Sequence, residues 1–209
     1  MYASYSMVST VKSFVLLSVT LLLGACVSTP PTNVANGCSI FEEKDDWYEA
    51  ARDAERKWGV PVEMQLAFIK QESGFRHDAQ APRDYLLGII PLGRKSSAYG
   101  YGQVIDSTWE WYKRDTGNRW ADRDDFEDVA DFIGWYAYTN HRKLGISRRD
   151  TYRQYLAYHE GQGGYLSGSY RHKSWLLRTA RRVERQAARY RSQIARCEAK
   201  LQRSGGWLF

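Results

Sequence analysis

Metal-binding side chains are scarce in this chain of 209 residues. It has three cysteines and four histidines. It contains no Cys-x-x-Cys pair and no Cys/His cluster, and the histidines at 77, 141, 159 and 172 are scattered. A structural zinc site draws four such ligands from short spacings, so the pattern excludes one. Neither a metal nor any other cofactor is expected. Long hydrophobic runs are equally scarce. The one marked apolar stretch, residues 14–23, is too short to cross a bilayer as a permanent helix. Internal repeats are absent, and the only biased segment is a short one around Pro30-Pro31-Thr32.

Lys12 precedes the 14–23 stretch, which runs into Leu23-Gly24-Ala25-Cys26. This fits a secretory signal peptide over residues 1–25. Small residues before a Cys resemble a bacterial lipobox, whose Cys becomes the lipidated first residue. That resemblance implies lipidation at Cys26, with residues 26–40 as the lipidated Cys and its tether. Ser28, second after Cys26, is not the Asp that retains enterobacterial lipoproteins in the inner membrane. The implied address is the periplasmic face of the outer membrane of a Gram-negative bacterium. The other reading is an ordinary cleaved signal with an incidental Cys. An oxidising compartment favours pairing of the two remaining cysteines, Cys38 and Cys197. Two free thiols are the alternative.

The chain after Cys26 has the length of one domain with ample core, and it reads as helices. Trp47, Ala51, Ala54 and Trp58 form one stripe, closed by Gly59. Ser107-Thr108-Trp109-Glu110 and Ser147-Arg148-Arg149-Asp150 have capping-box spacing. The second box leads into a helix from Tyr152 to Glu160, with Gly161 behind it. Asp124-Asp125 precede a Trp/Tyr-rich helix over 126–144. The last helix is long. Its seam of Leu176, Ala180, Val183, Ala187, Tyr190, Ile194, Cys197 and Leu201 alternates by four and three. Charge is uneven: residues 38–131 hold 13 Lys/Arg against 20 Asp/Glu, and residues 142–203 hold 16 against 4. A basic half attracts acidic polymers, but charge spread along one helix reads first as a solvated face. Nucleic acid is not an expected partner.

The stretch 62–103 carries the chemistry. Pro61 suits the start of a helix and Gly74 its end. Val62, Leu66 and Ile69 repeat at helical spacing, and Met64, Ala67 and Phe68 widen the stripe. Glu72 falls in the last turn of this buried helix. The negative end of the helix dipole and an apolar surround both favour the protonated carboxyl. Such an acid is what protonates the leaving oxygen of a glycoside. The bland alternative is an exposed Glu at a frayed helix end.

Glu72-Ser73-Gly74, Gly100-Tyr101-Gly102-Gln103 and Ala157-Tyr158-His159-Glu160-Gly161 resemble, in order, the three signatures of the lytic transglycosylase (SLT) family. The resemblance covers residues 47–190. It implies a mainly α, lysozyme-like fold, with the catalytic domain over 41–209 and a long C-terminal helix. It also implies peptidoglycan strands as substrate, with cleavage between N-acetylmuramic acid and N-acetylglucosamine to give 1,6-anhydromuramic ends. Glu72 would be the acid and then the base. Ser73, Ser97, Tyr99, Tyr101, Gln103, Tyr158 and His159 would bind substrate or orient the acid. Ser73 can equally bond a helix-end carbonyl, and the tyrosines can equally pack. Envelope protein partners are not specified.

Three departures accompany the resemblance. Tyr101 and Gly102 replace the usual Leu and Met. His159 and Glu160 replace Asn and Ala. Glu160 is expected to turn outward at the helix end; facing the cleft, it could activate water. Residues 83–95 form an insertion, expected as a small hairpin or flap, and leave Ser96 and Ser97 as candidates for one expected Ser. Two alternatives stay open: a goose-lysozyme-like hydrolase, and a non-catalytic peptidoglycan-binding lipoprotein.

Overall fold

The computed structural model describes residues 29–86, 90–94 and 96–204. The signal-peptide and Cys26 readings lie outside them. The described chain is mainly helical, in the order α1 Gly37–Glu43, α2 Asp45–Trp58, α3 Val62–Glu72, β1 Arg83–Leu86, β2 Ile90–Arg94, α4 Asp106–Thr116, α5 Phe126–Leu144, α6 Thr151–Ser167 and α7 Ser174–Ser204. A short 3-10 turn, Ser169–His172, joins the last two helices. The strands pair antiparallel with a bulge between Arg83 and Tyr85, so the 83–95 insertion contains a hairpin.

Local chemistry accounts for most helix ends. Asp125 caps α5 by accepting from the Asp128 N–H at 3.0 Å, and Asp150 caps α6 by accepting from the Arg153 N–H at 2.9 Å. Gly59, Gly117 and Gly145 end α2, α4 and α5 in the left-handed conformation. One expectation is corrected. Ser107 does not cap α4: the helix starts at Asp106, whose N–H donates to Ser97 Oγ at 3.1 Å, so the cap comes from a distant loop. Gly161 does end the first stretch of α6: at φ +73° and ψ 165° it lies outside helical geometry, and a second helical stretch follows it to Ser167.

The core lies where α2, α3 and α5 meet. α3 is buried on nearly every side, as its wide apolar stripe requires, and its one buried polar side chain, Gln65, donates to the Ala51 and Val60 carbonyls at 3.1 and 3.0 Å. Trp47 stacks on Phe126 with centroids 4.1 Å apart. Asp131 on α5 accepts from Lys57, Trp58 and Tyr112 at 2.9, 2.7 and 2.8 Å. A second polar set fixes α6 on α5. Buried Asn140 donates to Gln154 at 3.1 Å, Gln154 donates to the Ala137 carbonyl at 3.1 Å, and Gln162 donates to Asn140 at 3.1 Å. The buried Asn140 and Gln154 amides are thereby matched, which makes this register of α6 on α5 the low-energy one.

α7 closes the molecule as a brace of 31 residues. Its predicted seam is buried along its length, with Cys197 only partly so. The amino-terminal segment from Pro31 packs on this brace. Pro31 is buried, Val34 accepts from the Tyr190 hydroxyl at 2.6 Å, and the Gly37 N–H donates to Gln193 at 2.9 Å. Cys38 and Cys197 are disulfide-bonded, 159 residues apart. Closing so long a loop removes about 5 kcal/mol of unfolded-chain entropy in the simplest treatment. Urea unfolding of a Cys38→Ser/Cys197→Ser variant should therefore show a loss of about 2–5 kcal/mol. An unchanged midpoint and slope would show that packing alone seats α7.

Candidate active site

The last turn of α3 delivers Glu72 to a cleft of about 490 Å3, whose lining includes Gln103, Phe132, Tyr136, Tyr158 and His159. The chain leaves α3 through two left-handed residues, Gly74 at φ +63° and Phe75 at φ +65°. That backbone costs a residue with a Cβ on the order of 1 kcal/mol or more. Phe75 offsets it by full burial against Trp47, with centroids 5.9 Å apart. Ser73 spends its hydroxyl on the Ile69 carbonyl at 3.2 Å, the helix-end role, rather than on the acid.

The Gly-rich turn is built by close approach. A Cβ on Gly100 would sit 1.8 Å from the Arg123 carbonyl oxygen, and one on Gly102 would sit 2.9 Å from the Tyr158 hydroxyl. Gln103 takes φ +49°, and its Nε2 donates to the Ala79 and Gly100 carbonyls at 2.7 and 3.0 Å. Its amide thus locks the turn while the residue lines the cleft. Two tyrosines expected as cleft wall lie elsewhere. Tyr101 is 1% exposed, with its ring against Trp47 and Phe126, because burying an aromatic there completes the core. Tyr99 donates to Asp124 at 3.0 Å and lies under the Arg123 guanidinium. Ser97 caps α4, whereas Ser96 lines the cleft.

Glu72 accepts a hydrogen bond from the Tyr155 hydroxyl at 2.7 Å. Desolvation pushes its carboxyl up to about 7, against the opposing pull of that bond. The partner expected in this role was Tyr158. Tyr158 lines the cleft beside Glu72 but donates to the Gly102 carbonyl at 2.6 Å. Tyr155 lies three positions earlier on the same helix face, and that spacing was the available signal. Burial raises both phenols, and the Glu72 charge raises them further, so they remain neutral donors.

Glu160 does not turn outward. Its carboxylate accepts from Lys173 Nζ at 2.8 and 2.9 Å and from Ser169, and it contacts His159 Nδ1 at 3.0 Å. Its side chain is 3% exposed. Burial opposes ionisation, but the bonds from Lys173, Ser169 and His159 outweigh it and hold the carboxyl at about 2. His159 lines the cleft with its ring against half-exposed Trp175, 5.1 Å between centroids. Sequence reasoning passed over Trp175 and Lys173 because neither lies in a motif.

The family model described as Transglycosylase SLT domain matches residues 14–197. The chain belongs to the transglycosylase SLT family. No curated protein matches it. In this SLT domain the acid, the Gly-rich turn and the third motif converge on one cleft, and transglycosylase-type action on peptidoglycan is the family's general function.

The raised Glu72 carboxyl has two measurable consequences. Its folded value exceeds its unfolded one, so the stability it supports is present below about pH 4.3 and lost as pH rises through about 7. Glu72→Gln should therefore stabilise the domain by up to about 3 kcal/mol at pH 8 and by little at pH 4. Tyr155→Phe removes the donor that favours the anion. Carbon NMR titration of the Glu72 carboxyl should then show an upward shift; an unmoved or lowered value would remove Tyr155 from the site.

Proposed function

We propose that the chain is a lytic transglycosylase that cuts the β-1,4 bond between N-acetylmuramic acid and N-acetylglucosamine. Protonated Glu72 donates its proton to the glycosidic oxygen, and the bond from that oxygen to C1 of the muramic sugar breaks. The Glu72 carboxylate then takes the proton of the muramic C6 hydroxyl, whose oxygen bonds to C1. The products are a free 4-hydroxyl and a 1,6-anhydro end, with Glu72 protonated again. Attack from within the same sugar gains from proximity. A carboxyl near 7 suits both halves of this cycle.

The observation that carries this reading over hydrolysis is the state of the second carboxylate. A water-activating base needs a free, moderately basic carboxylate on the cleft. Glu160 is bonded to Lys173, Ser169 and His159 and sits at about 2, too weak a base for that task. A purely binding role gives no reason to desolvate an acid. The anchored address extends the proposal: Cys26 would carry lipid and hold the domain on the periplasmic face of the outer membrane, where Cys26→Ser should release it to the soluble fraction.

Mass spectrometry of muropeptides from purified peptidoglycan tests the reaction. The wild-type protein should produce anhydro ends, and Glu72→Gln should lose at least about a thousandfold in rate. The rate should fall as pH rises through about 7, where the acid form disappears. Reducing ends in place of anhydro ends would assign hydrolysis, and equal cleavage by Glu72→Gln would exclude Glu72 as the acid.

A further inference from the structure

A groove of about 420 Å3 lies between α3 and α7, outside the cleft. Lys70 and Gln71 line it from α3, and Arg182, Arg185, Gln186 and Arg189 from α7. The α7 residues are spaced three and four apart, which puts them on one face. No carboxylate lines the groove, and among the described residues none of its four cations forms an ion pair. Elsewhere on α7, Arg191 pairs with Glu63 at 2.6 Å and Lys200 with Glu42 at 2.7 Å.

The uncompensated charge has a cost within the fold. Burial, and then the Arg189 charge, push the Lys70 ammonium down. Gln186 is 7% exposed. Arg189 donates to its Oε1 at 2.5 Å, which fixes the amide orientation and turns Nε2 the other way. That nitrogen is buried beside the Tyr190 hydroxyl, away from the groove. Three guanidinium groups and an ammonium lining one groove with no facing carboxylate call for an anion. Guanidinium forks match a carboxylate in two parallel bonds.

We propose that this groove is a second, non-catalytic subsite that holds free carboxylates of the peptide stem carried by the strand in the cleft. The inference rests on peptidoglycan being the substrate. Two links tie the groove to the reacting sugar. Lys70 and Gln71 directly precede Glu72, and the Arg182 charge is felt at Tyr155, the phenol bonded to Glu72. An extended stem adds about 3.3–3.6 Å per residue, so a few residues span the roughly 10 Å width of one helix. Such a subsite would make cleavage favour strands that keep their peptides.

Calorimetry on the Glu72→Gln protein reads the groove without turnover. A soluble muramyl peptide with free carboxylates should bind, its fully amidated form at least tenfold more weakly. Arg185→Glu/Arg189→Glu should lose the difference, and Arg185→Lys/Arg189→Lys should keep part of it. On glycan strands with stems the charge-reversed variant should lose about tenfold in kcat/KM, and on strands stripped by an amidase nothing. Equal binding of free and amidated peptides would overturn the proposal, as would an equal loss on both kinds of strand. Binding of anionic phospholipid vesicles without binding of the muramyl peptide would also overturn it. Cleavage of neither strand by the wild type would instead strike the proposed reaction, and the calorimetry alone would then decide the groove.

Discussion

The structure depends on keeping one carboxyl out of water without leaving it unpartnered. Glu72 meets this with a single donor, Tyr155, at 2.7 Å. With more donors its pKa would fall into the ordinary carboxylate range and the acid would be lost at neutral pH. With none, a buried ionised form would cost several kcal/mol at the moment the proton leaves. One neutral phenol is the intermediate solution. It serves the protonated carboxyl as packing and the ionised carboxyl as a hydrogen-bond partner.

Holding one phenol against one carboxyl requires α3 and α6 to keep a fixed register over 83 residues of intervening chain. α3 is fixed by burial on nearly every side and by the Phe75 turn behind it. α6 is fixed twice. The Asn140, Gln154 and Gln162 amides tie it to α5, and the Tyr158 hydroxyl ties it to the Gly102 carbonyl. The second tie explains the Gly-rich turn. Tyr158 reaches Gly102 because no Cβ stands there, and Gly100 can pass the Arg123 carbonyl for the same reason. The glycines are needed less for flexibility than for close approach. α7 and its disulfide hold this assembly from outside.

The helical fold, the order of its elements and the desolvated carboxyl of Glu72 were legible in the sequence because each rests on local pattern. A stripe such as Trp47, Ala51, Ala54 and Trp58 reports its own burial, and a Glu ending a buried helix reports its own desolvation. What was not legible depends on geometry between elements. Tyr155 and Tyr158 share a face, and only the position of the Gly-rich turn decides which one meets Glu72. Ser107 has the spacing of a cap, but Ser97 reaches the α4 terminus from another loop and displaces it. Tyr101 sits in a motif and was expected at the cleft, yet the core needed its ring more. Glu160 was expected in solvent because a Glu at a helix end usually is. The partner that draws it inward, Lys173, stands 13 residues later, beyond the break at Gly161 and a further helical stretch, so no local pattern links the two.

The cleft holds two carboxyls whose surroundings drive them apart, one to about 7 and the other to about 2. In many glycosidases such a split divides the work between an acid and an ionised nucleophile or base. Here the ionised member is paired with Lys173, so the pair is close to neutral and projects little field onto a developing oxocarbenium ion. Below about pH 7, where Glu72 is mostly protonated, the two carboxyls therefore place no unpaired negative charge in the cleft. An uncharged sugar can enter it without stripping water from an ion. In the proposed reaction, charge would appear only as Glu72 gives up its proton, beside the sugar carbon that becomes positive. Stabilisation made in the transition state and not before is what lowers a barrier. In the proposed reaction the Glu160–Lys173 pair would contribute by being silent: it removes a competing base from the cleft and would leave one group to carry both proton transfers.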